Sequence, residues 1–377
     1  MNSQYFPILK AKQGELEALS KLSPNVLART TPIIELAKLG GRQLETAIKR
    51  TNMPYKEYVE KCSLAISKAI PTKQLIFDIF QWPANFTVET GEHILNYSMN
   101  QLVAQGVTPC PIIGYDRWDI VEYKEAIKSI KLVEGQFFSI RLDSVALEDM
   151  LDPDYFNEII EDITIETGLN PENTPVIIDL ADLSNKSVSD AIETIQHAYE
   201  HMRSLGFTYI IAIGSSIPAS VNLAVKTKDT SGTIFRKEIL AWKGFLQAFP
   251  NASLYFGDYG VRNPRAAENI IAPDMNGKIR YTIENSYFIA RGHSLRQENK
   301  TAQNHVLAKV IVDSPHYMGA NFCWGDSRIL ECSQGKFVGS PTTWISIDTN
   351  HHISALTTEI YEFTSQLEAA KSRTEKV

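Results

Sequence analysis

Short, near-continuous apolar runs recur along the chain. Between them lie segments whose apolar residues fall three and four positions apart. The runs occupy residues 5–10, 32–36, 75–80, 111–115, 137–142, 176–180, 209–214 and 254–259. Strands covered on both faces, as in parallel sheets, lack strict alternation and read this way. The spacer segments predict helices over 12–22, 55–69, 92–105, 118–130, 156–166, 188–205 and 235–249. Each would present one apolar stripe to a sheet. Asp154 and Ser187 stand where N-caps are expected for two of these helices.

Strand, helix, strand, repeated, implies parallel pairing through right-handed crossovers. Eight such units predict an α/β fold, a closed (β/α)8 TIM-like barrel, typically about 250 residues long. An open doubly wound sheet is the alternative, but no glycine-rich fingerprint follows any of the strands. Past Asn263 the pattern changes. Residues 279–290 read as a polar-interleaved strand, either a ninth strand or the true last strand of the barrel. A helix near 301–312, a cluster at Trp324, Gly325 and Asp326, and a last amphipathic helix near 354–370 follow. The expected organisation is a barrel domain over 1–295 and a C-terminal helical extension over 296–377, packed on the barrel.

Composition narrows the function classes. A chain of 377 residues with 44% hydrophobic content can bury a large core. Its net charge of -7 argues against reliance on nucleic-acid phosphates. The one basic-leaning stretch, Lys371, Arg373 and Lys376, reads as a solvated end. Four cysteines, Cys62, Cys110, Cys323 and Cys332, form no CxxC pair. They imply a reducing compartment, hence the cytoplasm. The spacing of Cys323 and Cys332 is not that of a zinc site. No signal peptide and no membrane span are expected.

In a (β/α) barrel, chemistry sits at the C-terminal ends of the strands. A polar residue stands at or just after the end of every proposed strand: Lys10, Glu35, Asp78, Tyr115 with Asp116 and Arg117, Arg141 with Asp143, Asp179 with Asp182, Ser215 with Ser216, and Asp258 with Tyr259. Glu284 and Arg291 join them if the later β-like segment reaches the mouth. Asp116, Asp143, Asp182, Ser215 and Ser216 have helix capping or turn formation as a competing role. Glu35, Asp78 and Asp179 lie inside apolar runs, where capping explains less. Buried charge must be paired or must meet a ligand, so internal ion pairs with Arg141 are the competing account there.

Gly260 would turn the chain so that Tyr259 and Arg262 face the mouth. His351 and His352 are adjacent, so in a strand only one of them reaches a given site. His197 and His201 have helical i, i+4 spacing without an HExxH motif and read as a packing pair. There is no GxxxxGK[ST] loop, no GxSxG elbow and no kinase motif set.

The opening block from Tyr5-Phe6-Pro7-Ile8-Leu9-Lys10 through Lys12, Gln13, Gly14 and Glu15, with Pro32-Ile33-Ile34-Glu35, resembles the Beta protein family of phages, prophages and bacterial mobile elements. The segments around Gly325-Asp326 and from Trp344 to Asn350-His351-His352 are similar to that family's C-terminal region. The resemblance implies a setting of phage–host conflict. It marks Lys10, Lys12, Gln13, Glu35, Asp326, His351 and His352 as family-like positions and assigns them no roles.

Together these readings predict a mouth site for an anionic, phosphate-bearing small molecule, with metal-assisted hydrolysis as the expected reaction. Glu35, Asp78, Asp179 and Asp258 would be acid/base groups or ligands of a divalent metal. Lys10, Arg141, Arg262 and Arg291 would hold the anion. Asp143, Tyr259, Glu284 and His352 complete the expected set. The rival is a noncatalytic sensor or adaptor that binds a protein partner through late aromatics such as Tyr317, Trp324 and Trp344.

Overall fold

The computed structural model describes residues 4–70, 74–265, 275–297 and 302–374. Residues 1–3, Thr301 and Lys376, on which the readings of the N-terminus, one helix and the basic tail drew, lie outside the described residues.

The strands are β1 (Tyr5–Lys10), β2 (Ile33–Glu35), β3 (Gln74–Asp78), β4 (Thr108–Gly114), β5 (Ser139–Leu142), β6 (Pro175–Asp182), β7 (Tyr209–Ser215), β8 (Thr230–Phe235), β9 (Leu254–Asp258), β10 (Asn276–Ile283) and β11 (Ser286–Ser294). β1 through β7 and then β9 form a closed, all-parallel barrel, with β9 pairing β7 on one side and β1 on the other. All eight apolar runs are barrel strands. The crossovers carry the expected helices, Gln13–Ser20, Pro54–Ala69, Ile94–Ala104, Val121–Lys128, Pro153–Thr167, Val188–Ser204 and Lys237–Ala248.

The segment 279–290 belongs to neither a ninth nor a last barrel strand. It is an antiparallel hairpin, β10–β11, turning at Glu284 and Asn285, with Asn285 at φ 57°. β8 adds to its far edge, giving a separate three-stranded sheet. β8 escapes a sequence reading because its residues are mostly exposed or half-buried, so no apolar run marks it. Phe235, read as a helix start, ends this strand.

Three further helices, Gln303–Val312, Trp324–Ser333 and Pro341–Thr374, pack with the hairpin. Ile279, Tyr281, Leu307, Ile311, Ile329, Trp344 and Ile347 form their common core, with Tyr317 and Trp324 partly buried against it. The late aromatics are thus spent on packing. The last helix starts well before residue 354 and includes His351 and His352, which therefore point about 100° apart and not to opposite faces. It docks on the helix Gln13–Ser20. A Cβ on Gly14 would lie 3.0 Å from Thr342 O, so glycine sets that approach, and Asn350 Nδ2 donates to Ala18 O at 3.0 Å.

Ser187 caps its helix in a reciprocal box with Asp190. Asp154 caps nothing; Asp152 holds the N-cap position and Pro153 begins the helix. The barrel interior is filled by Phe6, Ile8, Ile33, Ile76, Cys110, Ile112, Ile177, Ile211 and Ile213. Among the described residues no helix is long and apolar enough to cross a membrane.

Candidate functional site

Alternation along the strands decides which polar residues meet. Phe6 and Ile8 fill the barrel, so Lys10, two residues on, also points inward. The same step runs from Ile33 to Glu35, from Ile76 to Asp78 and from Ile177 to Asp179. Lys10 pairs in register with Glu35, and Glu35 with Asp78. These side chains form a polar layer above the apolar filling, together with Arg141 from β5 and Tyr259 just beyond β9.

Arg141 is the hub. Its Nη1 donates to Glu35 Oε1 at 2.8 Å and to Asp78 Oδ2 at 2.7 Å. Its Nε and Nη2 donate to Asp179 Oδ2 at 3.0 and 2.7 Å, and Nη2 also reaches the Tyr259 hydroxyl at 2.8 Å. Tyr259 donates onward to Asp179 Oδ2 at 2.6 Å. Lys10 pairs with Glu35 Oε2. Arg117 completes the set at 3.3 Å from Asp78 Oδ1. It fits because position 114 is glycine: a Cβ there would lie 2.4 Å from Arg117 Nη2. The Phe80 ring lies under the Arg141 guanidinium, 3.8 Å from centroid to carbon. All of these charges are buried. Three cations, Lys10, Arg117 and Arg141, balance three carboxylates, Glu35, Asp78 and Asp179.

Burial by itself would raise the Glu35 carboxyl, but Lys10 and then Arg141 outweigh it and hold it at about 2, below its ordinary 4.5. A carboxyl depressed on folding adds stability that is complete above about pH 4.5 and is lost as pH falls toward 2. That gap corresponds to on the order of 3 kcal/mol. Denaturant unfolding between pH 7 and pH 3 should show a steep acid loss for the wild type and a shallower one for Glu35→Gln. Parallel pH profiles would contradict this account of the network.

The other expected residues lie elsewhere. Asp258 faces away from the barrel interior, one residue out of phase with Tyr259. It accepts from Tyr5 Oη at 2.7 Å and Gly260 N at 2.9 Å, and lies 2.8 Å from His352 Nε2. His352 is thus buried between Asp258 and Thr282 Oγ1, 2.8 Å from its Nδ1. Asp143 caps the short helix Ser144–Asp149 through Val145 N and Ala146 N. Glu284 is exposed at the hairpin turn. Arg291 is buried in β11, where Nη1 donates to Val225 O and Lys226 O, both at 2.6 Å. It does not join Lys10 and Arg141.

Arg262 leads to a different feature. A cleft of about 480 Å³ lies beyond the ends of β7 and β9, roofed by β10 and the start of the last helix. Arg262, Lys278 and Arg280 line it, with Asn222, Asn263 and Trp344. Its volume falls in the range of small-molecule sites. Arg280 Nε bonds Asp348 Oδ2 at 3.0 Å. Arg262 Nε stands 2.9 Å from Glu15 Oε1, close enough for an ion pair but without hydrogen-bond alignment. Burial raises the Glu15 carboxyl against the pull of Arg262. Lys278 has no hydrogen bond or ion pair to any described residue. Burial, then the repulsion of Arg280, pushes its ammonium down to about 8.

Sequence reasoning missed Lys278 and Arg280. The signal was there: two residues apart in a strand, they share one face, while Ile279 and Tyr281 enter the extension core on the other.

The fold and these sites define a (β/α)8-barrel protein whose mouth is closed by an internal ion network and flanked by a cationic cleft under an added sheet. The chain belongs to the Beta protein family, whose model matches residues 5–357. No curated protein matches it.

Proposed function

We propose that this chain is a binding protein for an anionic, phosphate-bearing small molecule, held in the cleft lined by Arg262, Lys278 and Arg280. The observation that carries the reading is Lys278: a largely buried, unpartnered ammonium beside two guanidiniums in one cavity. Each guanidinium faces one buried carboxylate, Glu15 or Asp348, so the Lys278 charge is left over. An anion would supply the missing partner.

Binding without turnover at the mouth is the reading favoured here, in place of metal-assisted hydrolysis. The oxygens of Glu35, Asp78 and Asp179 that would grip a metal or move a proton are engaged by Lys10, Arg117, Arg141 and Tyr259. Opening that set would strand buried charge. The family resemblance adds phage–host conflict as the setting, in which the barrel acts as a sensor. The four unpaired thiols fit a reducing cytoplasm.

Calorimetric titration of the chain with inorganic phosphate, a set of nucleotides, Mg²⁺ and Mn²⁺ tests this. Heat is expected from the phosphate compounds in the absence of metal. Heat from the metals alone, abolished by Glu35→Ala/Asp78→Ala in a folded variant, would overturn the reading in favour of a metal site at the mouth.

A further inference from the structure

A second cluster lies outside both the mouth and the cleft. Cys323, Asp326 and His351 bring a thiol, a carboxylate and an imidazole together, with their donor atoms all within 4.8 Å of one another. Asp326 Oδ2 is the meeting point, 2.9 Å from Cys323 Sγ and 2.8 Å from His351 Nδ1. The other carboxylate oxygen accepts from Tyr281 Oη at 2.6 Å, and Tyr281 Oη accepts in turn from Met318 N at 2.8 Å. Asp326 and His351 are fully buried, while Cys323 is half-buried at the start of its helix.

The imidazole carries the argument. His351 Nε2 lies 2.8 Å from the backbone carbonyl of Thr282, which can only accept. Its Nδ1 faces a carboxylate oxygen, which as an anion can only accept. A neutral imidazole has one N–H, so it satisfies one of these contacts and sets lone pair against lone pair at the other. His352 has no such conflict. Its Nε2 donates to Asp258, and its Nδ1 meets the Thr282 hydroxyl, which can donate. At His351 the contact to Asp326 therefore needs something between the two lone pairs: a proton held on Nδ1 or Oδ2, or a metal ion between Nδ1, Oδ2 and Sγ.

We propose that Cys323, Asp326 and His351 form a binding site for a zinc-class divalent cation. Thiolate, imidazole and carboxylate together suit zinc and disfavour magnesium and calcium. The Thr282 carbonyl on Nε2 is the outer partner that orients a ligating histidine and fixes its tautomer. Tetrahedral zinc would hold its donors roughly 3.5 Å apart, so the cluster need open only slightly to admit one. Binding expels the thiol proton and any proton on Nδ1 to solvent. No further Cys, His, Asp or Glu belongs to the group among the described residues, which leaves the fourth position to water or an incoming ligand. The sequence reading dismissed Cys323 and Cys332 as a zinc pair. Only Cys323 takes part, because the other ligands come from the helix that it caps and from the next helix, which packs beside it.

The test is titration of the metal-free full-length chain with Co²⁺ as a spectroscopic stand-in, followed by displacement with Zn²⁺. One equivalent of tetrahedral cobalt with a thiolate charge-transfer band is expected. The band should vanish in Cys323→Ser and persist in Cys332→Ser, whose sulfur lies 3.8 Å from a different histidine, His305. A measurement on the wild type guards against misfolded variants: zinc should suppress alkylation of Cys323, read by mass spectrometry. Absence of the band in the wild type, its survival in Cys323→Ser, or alkylation unaffected by zinc would each overturn the site and leave a hydrogen-bonded Asp326–His351 pair.

Discussion

Arg141→Met is expected to destabilise the barrel by on the order of 3–5 kcal/mol, read as the fall in unfolding free energy in denaturant at neutral pH. The side-chain volume is roughly kept, so the loss comes from charge. Glu35, Asp78 and Asp179 would each lose a donor, and none is exposed enough to recover water in its place. Tyr259 would lose its Arg141 contact but keep Asp179. The pH dependence distinguishes this cause from a packing defect. Unpaired buried carboxylates take up protons more readily, so the deficit relative to wild type should shrink as pH falls. A packing defect would cost the same at pH 5 and pH 8. A loss under about 1 kcal/mol would mean that the carboxylates find water, as at an exposed pair, and would reopen the mouth as a metal site.

Lys278→Met is expected to weaken phosphate binding by about 10- to 100-fold, the worth of one charge-assisted hydrogen bond. The wild type carries its own control. With the ammonium at about 8 in the free protein, affinity should be full below that pH and decline as pH rises through it, because the cationic form is the binding form. A phosphomonoester titrates near 6 and is already fully charged in that window, so the decline belongs to the protein. Binding near pH 8 should accordingly take up a proton, visible as a buffer-dependent heat. Lys278→Met should lose both the affinity and its pH dependence, with Arg262 and Arg280 retaining a weaker, pH-flat site. If Lys278→Met binds as the wild type does, the cleft is not the binding site.

Much of this architecture was legible in the residues. Eight apolar runs separated by helical stripes could hardly do otherwise than pair in parallel, since each strand needed cover on both faces. The polar layer was legible too: Glu35, Asp78 and Asp179 interrupt runs that are otherwise apolar, and a two-residue step from Ile33, Ile76 and Ile177 points them inward. Asp258, expected beside them from its place at a strand end, is one residue out of step with Tyr259 and faces the other way. β8 was obscure because its residues are mostly exposed or half-buried, and the hairpin read as one strand because its turn at Glu284 and Asn285 lies inside a single β-like run.

The amino-acid sequence by itself determined the barrel, its strand order in outline and the inward placement of Glu35, Asp78 and Asp179, because periodicity is a local property and burial selects on it directly. Only the tertiary structure decided what those polar groups do. Whether a buried carboxylate is a ligand or half of an ion pair depends on where Arg141, Lys10 and Arg117 end, and barrel closure brings them there from distant strands. The cleft arises in the same way: Arg262 leaves the barrel, Lys278 and Arg280 return on an added sheet, and Glu15 and Asp348 come from opposite ends of the chain. Charges so far apart in sequence acquire their partners, and Lys278 its lack of one, only through packing.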